Sequence, residues 1–194
     1  EQEIENDWNE MFEYFDCDNV GDMFEYVGCK ITRDEESIII TQPVLLQSLE
    51  DEFGCGKDSK EVKIPAIQGS ILTKVEEEDI VDAKNLRNYR KGIGKMLHMT
   101  RWSRPEIQNA VRDMSRHMQK CGVEHLLAME RLMEYCVQSK NKGWILRPTR
   151  KWDGKDKSFK FRIRARTDSD FTTCKETRRS VSGIVVWLED AVIM

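Results

Sequence analysis

Asp168 and Asp170 stand one residue apart near the end of the chain, in the stretch RARTDSDF. If this stretch is a β-strand, both carboxylates lie on the same face of the sheet, because side chains alternate along a strand. Two carboxylates on one face can hold a divalent cation, since Mg²⁺ and Ca²⁺ prefer oxygen ligands. The same pair can also be the solvated end of an ordinary strand, and the spacing alone leaves both interpretations open.

A second candidate for chemistry is the basic stretch 140–166, which holds 11 Lys or Arg residues against two Asp residues. Four aromatic residues are interleaved with these charges: Trp144, Trp152, Phe159 and Phe161. Such a stretch can follow a phosphate backbone, with rings available for stacking on bases. Alternatively, it is a solvated connector whose aromatic side chains pack inward.

Charge is distributed unevenly along the 194 residues, although the net charge is only −4. Residues 1–80 contain 22 acidic and 6 basic residues, a net charge of −16. Residues 81–194 contain 13 acidic and 25 basic residues, a net charge of +12. The acidic part would repel nucleic acid and suits a basic partner protein.

The six cysteines contain no C-x-x-C pair, so we predict reduced thiols in an intracellular protein rather than a zinc site. His98, His117 and His125 also lack zinc-ligand spacing, and we predict that they are ordinary helix residues. A phosphate-binding loop is absent from the sequence, and no apolar run approaches the roughly 20 residues of a membrane helix. The chain begins EQEIENDWNE without Met. This start suggests an internal fragment or a processed product.

The spacing of apolar residues predicts the elements that must position these side chains. Helices are predicted at 3–15, 44–53 after Pro43, 84–101, from Ser103 to Gly122, and at 123–139, the last two as an antiparallel pair. Strands are predicted as a hairpin of 23–32 and 37–41, and in GWILRPTR, FKFRIRART and SVSGIVVWLEDAVIM. The stretch 54–82 has no sustained period and predicts a long irregular loop.

Gly92 and Gly94 lie inside the predicted helix 84–101. Each glycine costs a helix interior roughly 1 kcal/mol relative to alanine. Their presence predicts that something approaches this helix closely, either a packed helix or a ligand.

Five stretches, taken in order, resemble the C-terminal half of a copia-type retrotransposon reverse transcriptase that runs into its ribonuclease H domain. They are VGDMFEYVGCKITRD, IIITQPVLLQSLEDEFG, YRKGIGKMLHMTRWSRPEIQNAVRDMSRHM, EHLLAMERLMEYCVQSKNKGWIL and RTDSDFTTCKETRRSVSGIVVWLEDAVIM. Together they cover nearly the whole chain. The text FTTC after DSD departs from the family, which usually has an aromatic residue, Ala and a polar turn there.

The resemblance implies an α+β fold: a palm-edge β-hairpin, a helical thumb with an antiparallel helix pair, and strands of a truncated ribonuclease H-like sheet. The implied regions are 1–53 (palm edge), 54–82 (acidic loop), 83–142 (thumb), 143–166 (basic connection) and 167–194 (incomplete ribonuclease H-like domain).

The resemblance also implies roles for particular residues. Gly92, Gly94 and Lys95 would lie along nucleic acid on the thumb helix, or the glycines would serve helix packing. In the connection, Arg147, Arg150 and Lys151 would contact nucleic acid. Asp168 would be a catalytic ribonuclease H carboxylate that ligates Mg²⁺ in a complete domain, with Asp170 a weaker candidate. The motif RWSRPEI is interpreted as a helix start.

On this basis we expect a fragment of a polyprotein whose parent is an RNA-directed DNA polymerase and ribonuclease H. Residues 1–14 contain no Asp-Asp pair for polymerisation, and only one ribonuclease H carboxylate is expected. The chain alone should therefore be inactive and bind no metal or cofactor, although the parent uses Mg²⁺. The parent's partners would be an RNA–DNA hybrid or DNA, in the cytoplasm or nucleus. The alternative is a co-opted, non-catalytic structural subunit or binding module with protein partners.

Overall fold

The computed structural model describes residues 2–18, 21–56, 60–67, 69–169 and 180–193, and of residues 2–5 only the backbone. Within these ranges the chain combines five α-helices with two antiparallel sheets, which confirms the α+β class. None of the helices in this described part is long and apolar enough to cross a membrane.

The first sheet has four antiparallel strands in the order β1-β2-β3-β4. Their bounds are β1 Glu25–Tyr26, β2 Cys29–Arg33, β3 Ile38–Thr41 and β4 Trp144–Leu146. The prediction of one strand over 23–32 is wrong in detail, because Val27 and Gly28 both have positive φ (50° and 74°) and reverse the chain. Two positive φ values in succession are the geometry of a tight hairpin turn.

Strand β4 places the start of the connection on this first sheet, beside β3. Gly143 precedes it, and a Cβ atom at this position would lie 2.5 Å from the carbonyl oxygen of Ile40. Only glycine therefore lets the chain pass so close to the backbone of β3.

Four helices form the central body: α2 Pro43–Phe53, α3 Ala83–Trp102, α4 Gln108–Ser115 and α5 Val123–Gln138. A preceding helix, α1 Gln2–Tyr14, lies at the N-terminus. Local signals set the ends: Pro43 opens α2, Gly54 closes it at φ 71°, and Asp82 accepts a hydrogen bond from the Asn85 N–H at the start of α3. A 3₁₀ turn, Pro105–Ile107, precedes α4, which ends well before the predicted stop at Gly122.

The hydrophobic core lies between α2, α3, α4 and α5 and is rich in methionine. Its completely buried members include Leu49, Ile93, Met96, Met99 and Met133. Each such side chain contributes roughly 1.5–3 kcal/mol of burial free energy. Apolar residues at helical spacing in α2, α3, α4 and α5 therefore meet in this core, whereas no described residue of α1 belongs to it.

Residues 54–82 contain, in their described part, only one short 3₁₀ turn at Glu77–Asp79. The segment is fixed to α5, where the Val62 N–H donates to Gln138 Oε1 at 2.7 Å, and to the loop before α5, where the Val81 N–H donates to the Cys121 carbonyl at 3.0 Å. The prediction of an irregular segment is confirmed for these residues.

The second sheet has three antiparallel strands, β5 Ile163–Ser169, β6 Ser182–Leu188 and β7 Ala191–Val192, in that order. It joins the first sheet where the Trp144 indole N–H donates to the Val192 carbonyl at 2.8 Å. The strands predicted in FKFRIRART and SVSGIVVWLEDAVIM are thus present and pair with each other.

Candidate nucleic-acid interface

One face of the second sheet carries arginine side chains around a tryptophan. In the register of β5 and β6, Arg164 pairs with Trp187, Arg166 with Val185, and Asp168 with Gly183. Directly paired residues point to the same side of an antiparallel sheet. We call the surface formed by Arg164, Arg166, Val185 and Trp187 the basic face.

The indole ring of Trp187 holds both arginines of the basic face. The guanidinium carbons of Arg164 and Arg166 lie 5.2 and 5.9 Å from its ring centroid. Both distances lie within the range of a cation–π attraction, which restricts the two long side chains before any ligand arrives. Every residue of β5 is exposed, so the guanidinium groups are accessible to a ligand.

Asp190 partly compensates the charge of the basic face at one end. Its Oδ1 lies 3.1 Å from Arg164 Nη2, and its Oδ2 lies 2.5 Å from Arg162 Nη2. About half of the Arg164 side chain stays exposed, and exposed ion pairs of this kind contribute only about 0–1 kcal/mol. A phosphate group can therefore compete with the carboxylate of Asp190, because this exposed ion pair is weak and a guanidinium binds phosphate as readily as carboxylate.

Asp168 continues the row of alternating side chains beyond Arg166 and is exposed. It lines an open depression of about 840 Å³ together with residues of α4, among them Arg112 and Asp113. The other carboxylates of the depression are already paired, Asp113 with Arg116 at 3.3 Å and Glu106 with Arg104 at 2.5 Å. Across the described residues, no three His, Cys, Asp or Glu side chains are grouped to hold a metal ion. Asp170 lies outside them.

Arg150, predicted to contact nucleic acid, is bound to a carboxylate of the second sheet, although about half of its side chain is exposed. Its Nε and Nη2 donate to the two carboxylate oxygens of Glu189 at 2.8 and 2.6 Å. These bonds, followed by a hydrogen bond from the Arg162 backbone N–H, lower the pKa of Glu189 to about 2. The Glu189 side chain is only 2% exposed and that of Arg150 is 49% exposed, so the pair is a partly buried clamp between the connection and the second sheet.

Arg147 and Lys151, the other two predicted residues of the connection, lie near the turn between β2 and β3. The positive charge of Arg147 is one of the influences that lower the pKa of Asp34, after the stronger hydrogen bonds from Ser37 and Glu36. Lys151 donates to the backbone carbonyl of Glu35. Arg147 and Lys151 therefore lie beside the β2–β3 turn, whereas Arg150 binds Glu189 of the second sheet.

The predicted thumb-helix residues face different surroundings. Gly92 is buried, and a Cβ atom there would lie 2.3 Å from Met133 Cε and 2.5 Å from Met129 Sδ, so this glycine serves the packing of α3 on α5. Gly94 is exposed, with open space where its Cβ would be. Lys95 is mostly buried and binds Ser48 Oγ at 2.7 Å and Glu52 at 3.0 Å.

Arg104 is a residue whose role the sequence interpretation missed. Its side chain is 1% exposed and donates to Glu106 Oε1 at 2.5 Å and to Ser139 Oγ at 2.7 Å. It also reaches the carbonyl oxygens of Cys136 and Ser139, both at 3.3 Å, at the end of α5. The motif RWSRPEI is therefore more than a helix start, because its second arginine caps a different helix.

Two histidines that were predicted to be ordinary helix residues are buried against each other. The rings of His117 and His125 have centroids 4.2 Å apart. His125 Nδ1 accepts a hydrogen bond from the Gly122 N–H at 3.2 Å, which fixes this ring at the start of α5. Burial, followed by the neighbouring His117, lowers the pKa of His125.

The five cysteines in the described part of the chain are free thiols, four of them buried. Burial raises the pKa of Cys55 to about 11 and that of Cys136 to about 12. These two thiols therefore stay protonated at neutral pH and are poor nucleophiles.

Comparison with protein-family models, curated proteins and solved structures finds no match to this chain. The resemblance to copia-type elements therefore stays a prediction from the sequence motifs.

Proposed function

We propose that this chain binds nucleic acid through the basic face, as the thumb and connection part of a copia-type retrotransposon polyprotein. The observation that carries the proposal is the pair of exposed arginines held on the Trp187 ring, on the same strand as Asp168. The Cα atoms of residues two apart on a strand are separated by about 6.6 Å, so two such arginines can reach neighbouring phosphates of one nucleic-acid strand.

The same proposal assigns no catalytic role to the chain on its own. Two-metal phosphodiester cleavage needs several carboxylates around both ions. Among the described side chains of the depression, Asp168 is left as a single carboxylate, since Glu106 and Asp113 pair with arginines. Among the described residues, Asp168 then corresponds to the family's catalytic position without a second free carboxylate in the depression.

Binding of a labelled RNA–DNA hybrid tests the location of the interface. We expect Arg164→Gln combined with Arg166→Gln to weaken binding about tenfold or more, since charge-assisted hydrogen bonds contribute about 1.5–3 kcal/mol each. The matched control, Lys60→Gln with Lys63→Gln, removes the same charge from exposed positions of the acidic segment and should change affinity little. Equal losses in both double variants would show that binding is non-specific attraction to net charge.

A second comparison separates the basic face from the connection. Replacing Arg147, Arg150 and Lys151 by Ala tests the sequence-based interface. We expect this triple variant to lose stability through the Glu189 clamp, yet to retain more affinity than the double variant of the basic face. If the folded triple variant instead binds the hybrid more weakly than the double variant, the interface lies on the connection and not on the basic face.

Magnesium-dependent cleavage of the RNA strand tests the catalytic part of the proposal. The isolated chain is expected to release no product above a protein-free blank. Robust cleavage that disappears in Asp168→Asn would contradict the proposal and would make this carboxylate a working catalytic residue.

A second candidate function is a co-opted subunit that binds protein, and one observation favours it. The described side chains of α1 are exposed, although they include large apolar residues such as Trp8 and Phe12. Stable co-purification with defined proteins from cells, in the absence of nucleic-acid binding by the purified chain, would favour this function over the first.

A further inference from the structure

The helix α1 presents an apolar stripe that nothing in the described structure covers. Trp8, Met11, Phe12 and Phe15 recur at the three- and four-residue spacing of one helix face. They are 39%, 41%, 36% and 65% exposed. Each described residue from 6 to 18 is exposed, so α1 does not pack against the body of its own chain.

The same segment is strongly acidic. Residues 6–18 contain five carboxylates and no Lys or Arg: Asp7, Glu10, Glu13, Asp16 and Asp18. An acidic helix with an aromatic stripe requires a partner surface that is both basic and apolar, because an amphipathic helix binds through its apolar face and charges at the rim select the partner.

The chain itself carries a surface of this kind. The basic face combines Arg164 and Arg166 with the half-buried Trp187 and with Val185, which is 39% exposed. It belongs to the half of the chain with a net charge of +12, whereas α1 belongs to the half with a net charge of −16. Two copies placed head to tail therefore bring opposite charges together at the contact.

We propose that α1 of one copy docks on the basic face of a second copy. The two surfaces differ, so the contact is heterologous and extends into short head-to-tail chains or closes into a ring. Nucleic acid occupies the same basic face under the proposed function, and it therefore competes with the second copy. The docking itself does not depend on that function.

Sedimentation equilibrium of the purified chain over a range of protein and salt concentrations tests the docking. The weight-average mass is expected to rise with protein concentration and to fall with added salt, because screening weakens the attraction between the charged surfaces. A mass that stays that of one chain at all concentrations would overturn the proposal.

Two kinds of variant locate the contact. Trp8→Ala with Phe12→Ala on α1, and Arg164→Glu with Arg166→Glu on the basic face, are each expected to raise the concentration needed for association about tenfold or more. The control, Val44→Ala with Leu97→Ala, trims two apolar side chains exposed elsewhere and should leave association unchanged. If the α1 variant associates more weakly but the basic-face variant associates like the wild type, α1 binds another surface and the proposal is overturned.

A mixing experiment gives the sharpest result and does not depend on loss alone. Asp7→Lys, Glu10→Lys and Glu13→Lys together change the net charge of α1 from −5 to +1. This variant and the Arg164→Glu, Arg166→Glu variant should each stay monomeric when alone. Their mixture should form a complex that contains both variants in equal amounts. The acidic α1 of the basic-face variant meets the unchanged basic face of the α1 variant, and the basic α1 of the α1 variant meets the acidic face of its partner. Absence of this complex, with both variants folded by circular dichroism, would contradict the docking. Retained hybrid binding by the α1 variants would still leave the proposed function standing.

Discussion

Replacement of Arg104 provides the most informative test of how this fold is held together. The guanidinium is buried where α5 ends, and it is 5.4 Å from the centroid of the Tyr135 ring. It supplies donors to backbone carbonyls that have no partner within the last turn of a helix. Its positive charge also lies at the negative end of the dipole of α5.

The expected cost of Arg104→Met follows from what each partner retains. Glu106 is 40% exposed and regains water, and the Ser139 hydroxyl keeps its bond to the Tyr135 carbonyl. The Cys136 carbonyl loses its guanidinium partner inside the protein, which costs about 1–3 kcal/mol, and loss of the charge at the helix end adds up to about 2 kcal/mol. Because methionine recovers part of the packing, we expect a total loss of about 2–4 kcal/mol.

Urea unfolding followed by circular dichroism measures this loss as a shift of the midpoint at unchanged slope. Arg104→Lys should recover only part of the stability, since an ammonium group cannot reproduce the planar fork. The control Arg87→Met removes an exposed arginine of α3 and should stay within about 0.5 kcal/mol of the wild type. A loss below about 1 kcal/mol for Arg104→Met would refute the assignment of this residue as the cap of α5.

Three further predictions concern the helix glycines and two titrating groups. Gly94→Ala should stabilise the protein by about 1 kcal/mol in urea unfolding, because the new Cβ atom meets open space. Gly92→Ala should stabilise it less or destabilise it, because the ends of Met129 and Met133 must move. Equal gains in unfolding free energy would contradict the packing of α3 on α5. The pKa of Glu189 is lowered from 4.5 to about 2, so the stability that this carboxylate contributes is present above pH 4.5 and is lost as the pH falls towards 2. In measurements of unfolding free energy against pH, Glu189→Gln should remove the loss of stability between these two pH values. The pKa of His125 is lowered from 6.5 by burial, so the folded state loses stability as the pH falls below 6.5. His125→Gln keeps an acceptor for the Gly122 N–H and should flatten this pH dependence. An unchanged slope of unfolding free energy against pH would exclude His125 as its source.

Helices α2, α3 and α5 were predictable from the sequence because strong local signals agree with the pattern of apolar residues, whereas α4 is shorter than predicted. Pro43, Asp82 and Gly54 stand where α2 and α3 begin or end, and apolar residues at helical spacing in α2, α3, α4 and α5 supply the core. The first hairpin was predicted less well, since the reversal at Val27 and Gly28 interrupts a run that alternates like one strand. A valine with positive φ is rare, and no local sequence signal predicts it.

The candidate site was less predictable because it depends on contacts between distant parts of the chain. Charge density along the connection selected Arg150, but its carboxylate partner Glu189 is 39 residues away. The alternation of Arg164 and Arg166 was visible in the sequence, whereas their pairing with Trp187 required the register of β5 and β6. For Gly92, the sequence left packing and ligand contact open, and the methionines of α5 show packing.

The salt dependence of binding to a short DNA duplex tests the central claim most directly. Each phosphate contact contributes about 0.9 to the slope of log affinity against log salt concentration. If Arg164 and Arg166 each neutralise one phosphate, the double Gln variant should show a slope smaller by about 1.8, and the Lys60→Gln, Lys63→Gln control should keep the wild-type slope. Identical slopes for the wild type and the variant of the basic face would contradict the account.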